Sequence, residues 1–91
     1  MKLERVISVF DIVTESLILE IKIDEISLGT LKRIFRPNTD DPNMYDPYSI
    51  SIKETEEINR HLVNKISFDF TKNIYQLDCF TINEKLYYLR A

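Results

Sequence analysis

This 91-residue chain contains one glycine, one cysteine, one histidine and no tryptophan. A single cysteine, Cys79, cannot form an intrachain disulfide, and together with a single histidine, His61, it is too little for a zinc site. One glycine cannot supply a glycine-rich phosphate loop, and no serine lies in a G-x-S-x-G motif. We therefore predict no catalytic residue, no metal and no cofactor, and we expect a protein that is not an enzyme.

Long hydrophobic runs are also lacking. No apolar run approaches the roughly 20 residues that a helix needs to cross a bilayer. The apolar stretch at residues 6–10 is too short for the core of a signal peptide. The expected location is the cytoplasm, without contact with a membrane.

Acidic residues outnumber basic ones by fifteen to twelve, which gives a formal net charge of −3 and a pI near 5.1. A general nucleic-acid-binding protein needs a basic face to neutralise phosphates. The charge balance therefore predicts no direct contact with nucleic acid. It suits a basic protein partner, which an acidic surface helps to attract.

A length of 91 residues predicts a single domain over residues 1–91. A β-branched run followed by an alternating segment predicts a hairpin of strands at residues 3–11 and 16–23. The buried face of the second strand should carry Leu17, Leu19, Ile21 and Ile23. The last third of the chain predicts short strands at residues 68–70, 74–82 and 86–89.

Two helix starts are indicated by local capping signals. Ser27 can cap a helix over residues 27–35, which Pro37 stops. Ser51 and Glu54 fit a capping box at the start of a second helix near residues 52–65. The predicted fold is therefore α+β, an antiparallel sheet with two helices packed on one face, in the order ββααββ(β).

The segment with the most unusual composition runs from Arg36 to Ile50, and we call it the acidic loop. It holds all three prolines, three aspartates, Met44, Tyr45 and Tyr48. Proline and aspartate at this density exclude a helix or a central strand. Tyrosine beside carboxylates suits a partner that offers Arg or Lys, but the same side chains could equally pin the loop to the domain.

No catalytic or calcium-binding pattern is present in the acidic loop. Asp40 and Asp41 are adjacent, so their side chains point apart, which favours a solvated turn over an acid–base pair. The spacing of Asp40, Asp41 and Asp46 lacks the glycine and the final glutamate of a calcium loop. A hydrolase that uses Asp40, Asp41 and His61 is therefore the weakest hypothesis.

Two motifs resemble those of a family of small bacterial proteins. In this chain the motifs are a hairpin with Phe10-Asp11, Thr14-Glu15 and Leu17, and a loop with Asp40-Asp41-Pro42, Met44-Tyr45-Asp46 and Tyr48. Proteins of similar size and charge serve as immunity proteins in toxin–immunity systems, including contact-dependent growth inhibition. The resemblance implies a protein that binds the toxic C-terminal domain of a cognate toxin, typically a nuclease, and neutralises it by stoichiometric occlusion.

The predicted contacts with such a toxin lie in the acidic loop and at the start of the second helix: Asp40, Asp41, Met44, Tyr45, Asp46, Tyr48, Glu54, Glu56 and Glu57. The protein is expected to be a monomer or a weak homodimer. A second hypothesis, from a different class, is a small intracellular structural or regulatory module that self-associates through an exposed strand edge.

Overall fold

The first two strands form the hairpin that the sequence predicts. In the computed structural model, which describes residues 2–82, β1 (Lys2–Asp11) pairs antiparallel with β2 (Leu17–Lys22). Asp11 begins the connecting turn, because its carboxylate accepts hydrogen bonds from the backbone N–H groups of Val13 (2.8 Å) and Thr14 (2.9 Å). These bonds, that from Thr14 first, hold the pKa of Asp11 below its usual value.

The first helix, α1 (Leu28–Phe35), begins where its capping residue predicts. The hydroxyl of Ser27 accepts a hydrogen bond from the backbone N–H of Thr30 at 3.2 Å. The helix ends at Arg36, which adopts the left-handed conformation (φ 49°) and donates its backbone N–H to the carbonyl of Lys32.

The second helix, α2 (Ile52–Arg60), ends before the predicted residue 65. Instead of a continued helix, the structure has two hydrogen bonds between the side-chain amide of Asn59 and the backbone of Ile66. Asn59 Nδ2 donates to the Ile66 carbonyl at 2.9 Å, and the Ile66 N–H donates to Asn59 Oδ1 at 2.8 Å. The chain turns back at this point, and Leu62 still packs in the core.

The remaining strands complete a four-stranded antiparallel sheet in the order β2-β1-β4-β3. β4 (Asn73–Ile82) pairs with β1 along its whole length, and β3 (Tyr48–Ser49) is a short edge strand at the end of the acidic loop. The predicted α+β class is confirmed, with the element order ββαβαβ in the described residues.

Both helices pack on the same face of the sheet, as the sequence predicts. The core between them includes Ile7 of β1, Leu77 of β4, Leu31 of α1 and Ile58 of α2, all of which are buried. Within residues 2–82, neither helix is long and apolar enough to cross a membrane.

The predicted strand at residues 68–70 does not form. Phe68 and Phe70 instead lay their rings against Tyr75, with centroid distances of 4.8 and 5.2 Å and near-perpendicular planes. Aromatic packing therefore replaces the predicted strand pairing. The strand predicted at residues 86–89 lies outside the described residues.

The prediction that Leu17 and Leu19 are buried is wrong. Their exposed fractions are 52% and 50%, whereas Ile23 is buried as predicted. β2 is an edge strand, and the register shifts at the Val9–Phe10 step, so that Leu17 lies opposite Phe10. The resulting bulge breaks the alternation from which the prediction was made.

A candidate protein-binding loop

Asp41 organises the acidic loop from the inside. Its buried carboxylate accepts hydrogen bonds from the backbone N–H of Tyr45 (2.9 Å), the backbone N–H of Asp46 (3.2 Å) and the hydroxyl of Tyr48 (2.5 Å). These three donors fix the loop from residue 41 to residue 48. With both oxygens engaged, Asp41 is a structural residue rather than a free surface carboxylate.

The ionisation of Asp41 and that of Tyr48 follow from this arrangement. The Tyr48 hydroxyl, the backbone N–H groups and the nearby charge of Arg5 hold the pKa of Asp41 below its usual value of 3.8. Burial, followed by the hydrogen bond to Asp41, raises the pKa of Tyr48 to about 12. At neutral pH the pair is therefore a carboxylate with a neutral phenol.

Met44 anchors the loop to the core. Its side chain is only 1% exposed and lies in the same hydrophobic cluster as Leu31 and Ile58. Its backbone is in the left-handed region (φ 53°), which is uncommon for a residue other than glycine. A guanidinium N–H of Arg5 donates to the carbonyl of Asn43 at 2.7 Å and ties the adjacent backbone to β1.

The outward side of the loop carries Asp40, Tyr45 and Asp46. All three are exposed, and the Tyr45 side chain is the large hydrophobic group among them, with 54% of its surface accessible. The Tyr45 and Asp46 backbones are both held by Asp41. The loop therefore exposes one aromatic ring and two carboxylates, and Asp41 holds the backbone of Tyr45 and Asp46.

The acidic residues predicted on α2 have different environments. Glu54 is buried, and its Oε1 accepts hydrogen bonds from the N–H and the hydroxyl of Ser51 at 2.8 and 2.9 Å. Glu56 and Glu57 are on the accessible side of the helix, and Arg60 pairs with both of them, at 3.1 Å from Glu56. Their negative charge is thus partly compensated within α2.

A cleft of about 830 Å³ brings some of the predicted residues together. Tyr48, Glu54 and Glu57 line it where the end of α1 meets β3 and the start of α2. The same cleft is also lined by basic side chains, those of Arg33, Arg36 and Lys53. The surface at α2 is therefore of mixed charge, in contrast to the outward side of the acidic loop.

These basic neighbours were not identified from the sequence. Arg33 and Arg36 lie at the C-terminal end of α1, where positive charge is favourable for the helix dipole. Nothing in the local pattern places that helix end beside the start of α2, because the contact depends on how both helices pack on the sheet. The same is true of the inward direction of Asp41 and Met44.

The potential metal-ligating side chains in residues 2–82 do not form a cluster. No group of three or more His, Cys, Asp and Glu side chains in this part of the chain could hold a metal ion. His61 lies at the C-terminal end of α2, where its backbone N–H bonds to the Ile58 carbonyl. Its side chain has no hydrogen bond to Asp40 or Asp41 among the described residues.

The described residues define an α+β domain in which a rigid acidic loop is pinned to the core of an antiparallel sheet. The chain belongs to the family described as "Domain of unknown function (DUF7683)", whose model matches residues 4–78. That span includes the acidic loop and both helices. Neither a curated protein nor a solved structure matches the chain.

Proposed function

We propose that this protein is an immunity protein, which binds the toxic domain of a cognate bacterial toxin and neutralises it by covering its substrate-binding surface. The observation that carries the proposal is the outward side of the acidic loop. There Tyr45 stands exposed between Asp40 and Asp46 on a backbone that Asp41 holds in place. In this role the protein performs no chemistry itself.

The rigidity of the loop supports a role in recognition. A binding segment that is already ordered loses less conformational freedom when its partner docks, so more of the contact energy appears as affinity. Tyrosine is well suited to the centre of an interface, because it offers a large apolar ring and a hydroxyl with few rotatable bonds. In this proposal Tyr45 is the central contact.

The charge of the loop supports a basic partner. A nuclease domain presents basic side chains to the phosphates of its substrate, and carboxylates on an inhibitor can pair with those same side chains. Asp40 and Asp46 are the carboxylates offered beside Tyr45. Glu56 and Glu57 are assigned a secondary role, because Arg60 already pairs with them.

Co-expression with the candidate toxin tests this proposal. The candidate is the C-terminal domain of a large secreted protein encoded next to this chain, expressed alone so that it arrests growth. The wild-type chain is expected to restore growth and to bind the purified domain with one-to-one stoichiometry in titration calorimetry. Growth arrest that persists at full expression of the folded chain, together with no measurable binding, would overturn the proposal.

Two matched variants test the role of the loop. Asp40→Asn, Tyr45→Ala and Asp46→Asn together should weaken binding at least about 100-fold, because they remove the aromatic contact and both flanking charges. The control combines Glu15→Gln with Asp24→Asn, which removes two exposed carboxylates outside the loop and should leave affinity nearly unchanged. Equal affinities for the two variants would remove the loop from the interface.

A further inference from the structure

The outer edge of β2 is an unpaired strand edge with large apolar side chains. Within the described residues β2 pairs only with β1, and Leu17, Ile18 and Leu19 are each at least half exposed. Monomeric proteins usually protect such an edge with charges, prolines or bulges. Here the bulge at Leu17–Leu19 protects one end, and the regular part of the edge runs from Leu19 to Lys22.

The hydrogen bonds of the sheet show which backbone groups of this edge point away from β1. The N–H of Ile23 bonds to the carbonyl of Arg5 on β1 at 3.4 Å. In an antiparallel pair, backbone groups alternate between the two sides of a strand, so those of Leu19, Ile21 and Ile23 point towards β1. The N–H and C=O groups of Glu20 and Lys22 therefore point outward.

We propose that β2 pairs antiparallel with β2 of a second copy of this chain, with the two-fold axis at Ile21. This register places Glu20 opposite Lys22 of the second copy, and Lys22 opposite the second copy's Glu20. The four outward-pointing backbone groups of each copy then form hydrogen bonds across the axis, and the two sheets join into one of eight strands. The proposal goes beyond the proposed binding of a toxin and does not depend on it.

Charge complementarity selects this register and this partner. A shift of the axis to Glu20 would place two glutamates directly opposite each other, which is unfavourable across strands. With the axis at Ile21, both charged pairs are of opposite sign, and Leu19, Ile21 and Ile23 line up on the helix-bearing face. A basic partner would gain nothing here, since Glu20 and Lys22 cancel.

Apolar side chains of this edge line an open cavity on the helix-bearing side of the sheet. The cavity has a volume of about 370 Å³ and is lined by Leu19, Ile21, Ile66 and Tyr75 among others. The paired segment is only a few residues long, so the surface that it buries is much smaller than the roughly 800 Å² per partner of stable complexes. The dimer is therefore weak, and it forms at high protein concentration.

The interface lies away from the strand that follows the acidic loop. β3, which contains Tyr48, is at the opposite edge of the sheet, and β1 and β4 lie between it and β2. β3 has only two residues and offers too short an edge for the same pairing. Of the two outermost strands within residues 2–82, β2 is therefore the one long enough to pair with a second copy.

Two single charge reversals and their mixture test the proposal. Glu20→Lys places lysines opposite each other, and Lys22→Glu places glutamates opposite each other, so each variant alone should dimerise at least about 10-fold more weakly than wild type. A mixture of the two variants restores opposite charges at every pair. Sedimentation velocity up to about 1 mM protein should therefore show association in the mixture and in wild type but not in either variant alone.

Other outcomes overturn the proposal. A wild-type chain that stays monomeric over the whole concentration range shows that β2 is not a dimer interface. Association of the single variants that equals that of wild type shows that another surface is used. Circular dichroism of each variant checks that it is folded. Glu20 and Lys22 are both exposed, and within residues 2–82 Lys22 forms an ion pair with Glu4 at 3.9 Å.

Discussion

Met44 and Tyr45 are neighbours in the acidic loop, yet the structure predicts opposite effects when each is replaced by alanine. Met44 is 1% exposed and Tyr45 is 54% exposed. Met44→Ala removes the equivalent of three buried heavy atoms, or about 2 kcal/mol of transfer free energy. A residual cavity of about 50 Å³ adds about 1 kcal/mol. The expected loss in the free energy of unfolding is thus about 3 kcal/mol.

Thermal or urea unfolding followed by circular dichroism measures this loss. For a domain of this size, 3 kcal/mol lowers Tm by about 12–24 °C. Tyr45→Ala should cost less than about 1 kcal/mol, because the ring is already half in water. Met44→Leu, which nearly conserves volume, should cost less than about 1.5 kcal/mol.

The reasoning is refuted if the order is reversed. A cost for Met44→Ala below about 1 kcal/mol, with a larger cost for Tyr45→Ala, would mean that the loop turns its tyrosine inward and its methionine outward. The candidate binding surface would then have to be redrawn around Met44. A large cost for Met44→Leu as well would indicate a site with no tolerance for a change of shape.

Three further predictions concern the groups that hold the loop and α2. In wild type, the free energy of unfolding should fall between pH 10 and about 12, because the raised pKa of Tyr48 keeps its hydroxyl protonated in the folded state but not in the unfolded state. Tyr48→Phe should remove this loss. Unfolding at about pH 9 and 11 measures the difference. Asp41→Asn should reduce the loss in the free energy of unfolding that occurs below pH 3.8, because the Asp41 carboxylate, whose pKa is lowered by folding, stabilises the fold only while it is charged. Acid unfolding of wild type and variant measures the difference. Glu54→Ala should cost about 1 kcal/mol by removing the acceptor for Ser51, whereas Glu56→Ala should change stability by less than about 0.5 kcal/mol in urea unfolding.

Features specified by neighbouring residues could be predicted from the sequence. The β1–β2 turn depends on Asp11 and on Val13 and Thr14, whose backbone N–H groups donate hydrogen bonds to its carboxylate. The starts of α1 and α2 depend on Ser27 and on Ser51 with Glu54, within a few positions of each helix. Such contacts form in any fold that keeps the segment together.

Features that depend on distant residues could not be predicted. The alternation in β2 indicates one buried face, but only the strand order shows that the strand is at an edge of the sheet. The bulge that exposes Leu17 depends on its pairing with Phe10. The early end of α2 depends on Asn59 and Ile66, which meet only after the chain turns back.

The acidic loop combines a structural role and a candidate binding role, on side chains that point in opposite directions. Asp41, Met44 and Tyr48 hold it to the domain, while Asp40, Tyr45 and Asp46 face outward. A substitution of an inward residue would lower binding even if that residue never touches a partner, because the backbone that presents Tyr45 would loosen. Only substitutions on the outward side can therefore separate recognition from folding.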